Sequence, residues 1–152
     1  MESGLRHTIV TGGAGFIGSH LVEHLLADGH KVIVLDNFAT GRPENLAHLK
    51  DNSRLSVQRV DISNGSEIRP FFEGIDWVFH LAGLADIVPS IQQPLAYHQA
   101  NVDGTIGVLE AARSAGVKRF VYAASSSCYG IPDQYPTPEM ALIQPMYPYA
   151  LT

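Results

Sequence analysis

Gly12, Gly15 and Gly18 stand three apart in Val10-Thr-Gly-Gly-Ala-Gly-Phe-Ile-Gly18, a spacing suited to holding a pyrophosphate. Gly12 lets the chain reverse, Gly15 lets backbone approach an anion, and Gly18 lets a helix close onto the strand before it. The start of that helix offers free N–H groups and partial positive charge to phosphate oxygens. Asp36 follows a second apolar run, Lys31-Val-Ile-Val-Leu35, eighteen residues after Gly18. A carboxylate there is placed to accept hydrogen bonds from an adenosine ribose. A glycine triplet alone is weak; strand, turn, helix, strand and acid in this order read as a dinucleotide site.

His20-Leu-Val-Glu-His24 fits the H-x-x-E-H spacing of inverted zinc proteases. At helical pitch His20 and Glu23 fall opposite the apolar stripe of Ile17, Leu21 and Leu25, on solvated surface. No third ligand is identifiable, so no metal is expected.

The elements that must position these groups alternate in type. Strands are expected at Thr8–Thr11, 31–35, 55–60, 76–81 and 117–123. Helices are expected at 16–28, 44–50, 66–72 and within 91–115, and another opens at Tyr149. Such alternation gives an α/β fold: a doubly wound parallel sheet of order 3-2-1-4-5, with helices on both faces. Chemistry then belongs at the carboxyl ends of the strands, at Asp36, Asp61, Leu81-Ala82-Gly83 and Ser125-Ser126-Ser127. Five prolines between Pro132 and Pro148 are expected to stiffen an extended loop over the site.

At 152 residues the chain is one domain's worth, and 45% apolar with 16% charged residues is an ordinary globular composition. A net charge of −5 with no basic cluster argues against nucleic acid as a partner. No apolar run is long enough to cross a bilayer, and no basic-then-apolar leader opens the chain. The one cysteine, Cys128, is expected to be a buried, unpaired side chain in a reducing cytoplasm.

Seven ordered motifs together resemble the extended short-chain dehydrogenase/reductases. They are Thr11–Gly18, Asp36-Asn-Phe38, Asp61-Ile62, His80-Leu-Ala-Gly83, Asn101-Val-Asp-Gly-Thr105, Ser125-Ser-Ser-Cys-Tyr-Gly130 and Tyr147-Pro-Tyr-Ala-Leu-Thr152. Within that group the chain is most similar to the nucleotide-sugar 4-epimerases. The resemblance implies a Rossmann-type NAD-binding domain over 1–152, the N-terminal part of a longer enzyme whose substrate lobe lies outside these residues. It implies that Gly12, Gly15, Phe16, Ile17 and Gly18 form the pyrophosphate turn. Asp36 binds ribose, and Asn37 and Phe38 follow where NADP users often place a basic residue, pointing to NAD. Asp61 and Ile62 flank adenine, Leu81, Ala82 and Gly83 lie under the nicotinamide ribose, and Asn101 is structural.

The resemblance also implies a catalytic hydroxyl at Ser125 and a catalytic tyrosine at Tyr149, which also sits by the nicotinamide. The family's lysine would be residue 153, so the 152 residues alone are expected to be inactive. The implied reaction oxidises a UDP-sugar at C4 and reduces the 4-keto sugar on its other face, regenerating NAD. UDP-glucose, UDP-N-acetylglucosamine and UDP-glucuronate stay open as substrates. Ser126 and Ser127 are assigned to the substrate; sugar-nucleotide 4,6-dehydratases carry Asp-Glu there, and serine cannot do that acid–base work. The less favoured 4,6-dehydration, decarboxylation and non-catalytic NAD binding remain alternatives. A homodimer is implied, because the helix after strand four contributes to subunit contacts in the family.

Overall fold

The computed structural model describes residues 4–152. Its sheet has five parallel strands, β1 (His7–Thr11), β2 (Lys31–Asp36), β3 (Leu55–Arg59), β4 (Trp77–His80) and β5 (Arg119–Tyr122). Their order is β3-β2-β1-β4-β5, as the alternation of elements requires. The register sets Val10 beside Val34 on one side and Phe79 on the other.

Successive side chains on a strand point to opposite faces, and this divides the core in two. Val10, Val32 and Val34 pack with Val22, Leu25 and Leu26 of α1 (Phe16–Ala27). Ile9, Leu35 and Val78 pack with Ile68, Phe72 and Val108, the last on α5 (Gly104–Ala115). Burying one such side chain stabilises by roughly 1.5–3 kcal/mol, so these two stripes hold the helices to the sheet. Coverage on both faces is why the runs around Ile9 and Val34 read as continuous apolar sequence.

The apolar stripe of α1 differs from the one expected. Ile17 is 68% exposed and Leu21 only half-buried, while Gly18, Ser19, Val22, Leu25 and Leu26 face the sheet. Gly18 sets this rotation: a Cβ there would lie 2.2 Å from the Gly12 carbonyl oxygen, so only a glycine face fits the turn. Ile17, one residue earlier, is carried outward.

Several expected helices are tighter or more broken. Residues 43–49 form a 3-10 helix, Pro43–Leu49. The next segment is one turn, α2 (Gly65–Ile68), continued as 3-10 through Arg69–Phe72 with Pro70 near its start. After β4 come α3 (Ile87–Gln92), α4 (Pro94–Tyr97) and a π-helical stretch, His98–Asp103, before α5. Pro94 lacks an amide hydrogen and breaks the first of these junctions. The last helix is α6 (Pro148–Leu151).

No residue of the proline-rich segment lines the cleft at the carboxyl ends of the strands. The segment folds back on the 3-10 turn Ser126–Tyr129, with Gln144 N–H donating to the Cys128 carbonyl (2.9 Å) and Tyr129 Oη donating to that of Glu139 (3.3 Å). Cys128 is half-buried here, not buried, because its turn lies beyond the sheet edge. Among the described residues no helix is long and apolar enough to cross a membrane.

Candidate functional site

Parallel strands in this order bring their carboxyl ends to one edge, with Asp61, Asp36, Gly12, Leu81–Gly83 and Ser125 following one another across the sheet. A cleft of about 290 Å³ opens there, lined by Gly12, Gly15, Asp36, Asn37, Asp61, Ile62 and Leu81–Leu84, and completed by Ala96, Gln99 and Ala100.

The glycine turn is built as its spacing requires. Gly12 has φ +67°, and a Cβ on it would lie 2.7 Å from Ala82 N, so β1 and β4 approach backbone to backbone. Gly15 is the N-cap of α1 and no side chain caps the helix. The N–H groups of its first turn, at Phe16 and Ile17, are therefore left for an outside acceptor. Both side chains point away into solvent and line no part of the cleft.

Asp36 is 7% exposed. Its Oδ2 accepts from Ala14 N–H (2.9 Å) and its Oδ1 from Phe38 N–H (2.8 Å). Each oxygen retains a lone pair for a ligand hydroxyl. Gly41 packs so close that a Cβ there would be 2.9 Å from both carboxylate oxygens. Phe38, at φ +61°, turns its ring from the cleft into a separate apolar hollow with Leu46 and Leu55, under the Arg59 guanidinium.

Asn37 and Asp61 meet across β2 and β3. Asn37 Nδ2 donates to Asp61 Oδ2 (3.1 Å), and Ser63 donates to Asp61 Oδ1 from both N–H (2.9 Å) and Oγ (2.7 Å). Burial raises the Asp61 carboxyl, but these hydrogen bonds outweigh it and hold the group below its usual range. Asn101, buried in the π-helical stretch, accepts from Leu84 N–H (2.7 Å) and donates to the Leu84 carbonyl (3.0 Å). It thereby pins the loop that follows Gly83.

His80 fills the core at the end of β4, 1% exposed, with Nδ1 2.7 Å from Thr11 Oγ1 and Nε2 2.8 Å from Thr105 Oγ1. Burial lowers its pKa to about 4. The unfolded chain binds a proton near pH 6.5 and the folded one does not until about 4. Stability is therefore full above pH 6.5 and is lost as pH falls toward 4, by about 3 kcal/mol from this group. Urea unfolding at pH 7 and pH 4.5 should show this loss in the unaltered protein and a smaller one in His80→Gln.

Ser125 caps the Ser126–Tyr129 turn, its Oγ accepting from Ser127 N–H (3.2 Å). Tyr149 lies on α6, which packs on α3, α4 and that same turn. Its ring meets Tyr97 edge-on at 6.4 Å. Tyr97 donates to the Ala85 carbonyl, and burial, with Asp86 and Tyr149 nearby, pushes its phenol up. Neither Ser125 nor Tyr149 lines the cleft itself, and Ser126 is exposed on the turn. His20 and Glu23 are solvated, as expected, with Glu23 accepting from His48 across to the 3-10 helix. Among the described residues no group of three ligands is arranged for a metal.

Sequence reasoning did not find Ala39, Thr40 and Gly41, which wall the cleft beside Asp36, or Ala96, Gln99 and Ala100. The one available signal was Gly41, a glycine soon after the acid. Nor did it find the bonding of His80, whose signal is a polar residue ending an apolar strand.

The sequence profile described as the NAD dependent epimerase/dehydratase family matches residues 8–152. The chain belongs to that family. NAD is the family's cofactor, and the uncapped helix start, the buried Asp36 and the small residues at 82 and 83 fit it. The chain is 41% identical over 150 residues to the UDP-glucose 4-epimerase of Mycolicibacterium smegmatis, covering 94% of itself and 46% of that protein. It is 42% identical over 131 residues to UDP-glucuronic acid decarboxylase 1 of Arabidopsis thaliana, covering 86% and 29%. Among solved structures it is similar to the UDP-glucose 4-epimerase from Stenotrophomonas maltophila with bound NAD and formylated UDP-arabinopyranose, at TM-score 0.89 and 31% identity, covering 96% and 45%. The chain thus spans less than half the length of these relatives.

Proposed function

We propose that the whole protein interconverts C4 epimers of a UDP-hexose through a 4-keto sugar, with NAD held in the cleft of residues 1–152. Gly12, Gly15, Gly18 and the N–H groups of Phe16 and Ile17 hold the pyrophosphate. Asp36 accepts from the adenosine ribose, with Asn37 beside it and Phe38 contributing only its N–H to the Asp36 carboxylate, and Asp61 and Ile62 flank the adenine. Leu81, Ala82 and Gly83 form the floor on the nicotinamide side, with Asn101 fixing the loop beyond them. NAD, when bound, supplies the electron-pair acceptor for oxidation at C4 and the donor for the return step.

Tyr149, as phenolate, takes the proton of the sugar 4-hydroxyl. Ser125 Oγ already accepts from Ser127 N–H, so its own proton is free to hold the same oxygen. Ser126 and Ser127 contact the sugar. A free tyrosine titrates near pH 10, and the family's lysine, four residues past Tyr149, would favour the phenolate. On this reading residues 1–152 alone bind NAD without turnover. The exposed Leu95, Ile106 and Leu109 on α4 and α5 support a homodimer, and the unpaired Cys128 supports a cytoplasmic setting.

The observation that supports the reading is the seating of α6, the helix that bears Tyr149, on the Ser126–Tyr129 turn that Ser125 caps. A second reading, decarboxylation of UDP-glucuronate, draws on the decarboxylase relative. It shares the C4 oxidation and differs only in the fate of the keto sugar. The test is to incubate the whole protein with NAD and UDP-glucose, UDP-N-acetylglucosamine or UDP-glucuronate and read products by proton NMR. An inverted C4 proton pattern is expected. A 4-keto-6-deoxy sugar would overturn the reading of Ser126 and Ser127, and a UDP-pentose with released CO₂ would favour the second.

A further inference from the structure

Beneath the nicotinamide-side floor of the cleft, one hydroxyl joins three elements. Thr11 Oγ1, at the end of β1, is fully buried and lies 3.2 Å from Leu81 N, 3.2 Å from Ala82 N and 2.7 Å from His80 Nδ1. Both backbone nitrogens are donors only. Ala82 N–H donates to the hydroxyl, and Leu81 N–H is shared between it and the Thr11 backbone carbonyl (3.2 Å), so of its contacts only His80 Nδ1 can accept the hydroxyl proton. Nδ1 of His80 is then an acceptor, and the ring's proton lies on Nε2, 2.8 Å from Thr105 Oγ1 on α5.

We propose that Thr11 and His80 are positioning residues for the cofactor: the Thr11 hydroxyl, donating to His80 Nδ1, fixes the amides of Leu81 and Ala82 and so the floor against which the nicotinamide end lies. This deepens the reading of the cleft as an NAD site and rests on it. The chain of bonds runs Ala82 N–H to Thr11, Thr11 to His80, His80 to Thr105. It ties the glycine turn, the β4 loop and α5 into one unit across the point where the sheet order reverses. A protonated ring would set an Nδ1–H against the hydroxyl's own proton, which has no other acceptor among its contacts, so the unit requires a neutral imidazole. The ring's stacking on Tyr122 (5.8 Å between centroids) and contact with Phe120 leave it no room to turn away.

The test uses the whole protein labelled with ¹⁵N-histidine, the His80 signals being identified by their loss in His80→Gln. Long-range ¹H–¹⁵N correlation at pH 7 should show a neutral ring with its proton on Nε2. A proton on Nδ1, or an imidazolium, would overturn the proposal whatever the protein binds. NAD titration of Thr11→Val and Thr11→Ser gives the second arm. Valine keeps the shape and loses the hydroxyl, leaving the Ala82 amide without its partner, and NAD affinity should fall about tenfold. Serine keeps the hydroxyl and should stay within about twofold. Equal affinity of the valine and unaltered proteins would overturn the positioning role. Failure of the unaltered protein to bind NAD would instead sink the reading of the cleft and with it the role assigned here, while the tautomer measurement still judges the bonding.

Discussion

Tyr149→Phe in the whole protein is expected to lower kcat for C4 epimerisation by about 10²–10⁴, the usual contribution of a positioned acid–base group. That corresponds to about 3–5 kcal/mol of transition-state stabilisation. The ring remains, so its edge-on packing with Tyr97 and the seating of α6 persist. Because Tyr149 does not line the cleft, NAD affinity should change by no more than about threefold. Stopped assays with a UDP-hexose, run beside an NAD titration, separate the two. A variant that keeps more than a tenth of the activity would remove Tyr149 from the role of base.

Gly18→Ala is expected to act through the fold. The added Cβ would sit 2.2 Å from the Gly12 carbonyl oxygen and 2.8 Å from Gly13 Cα, both backbone, so no side chain can yield. Relief requires α1 to move off the turn, at a cost of about 3 kcal/mol or more. For a domain of this size that lowers Tm by roughly 6–12 °C. The same shift moves the Phe16 and Ile17 amides away from the place proposed for the pyrophosphate, so NAD binding is expected to fall with stability. Gly65→Ala, with nothing within 4 Å of its Cβ, should leave both unchanged and serves as the control. A Gly18→Ala protein with unaltered Tm and NAD affinity would contradict the account of the turn.

The sheet was legible because each parallel strand carries its own signal. Ile9-Val10 and Val32–Leu35 are apolar throughout, since both faces are covered, and each run ends at Gly12 or Asp36. The right-handed crossover then leaves little freedom in the order. The face of α1 was not legible from periodicity, because Ile17 and Leu21 fit a stripe as well as Val22 and Leu25 do. Backbone contact at Gly18 decides between them, and a pattern of apolar residues does not encode it. The breaks at Pro94 and the π-helical stretch around Asn101 follow from tertiary demands, since Asn101 must face Leu84. The glycine turn, Asp36 and the small residues 82 and 83 announced the cleft. The second wall, from Gly41 and Gln99, and the Thr11–His80 link come from residues far apart in sequence that only the fold brings together.

The most direct test of the central claim, oxidation and re-reduction at C4 within one site, is the fate of a deuterium placed at C4 of the UDP-hexose. The whole protein with NAD should yield the C4 epimer with the deuterium still on C4 and no free NADH accumulating. Epimer formed with loss of the label to solvent, or NADH released in step with product, would contradict the account.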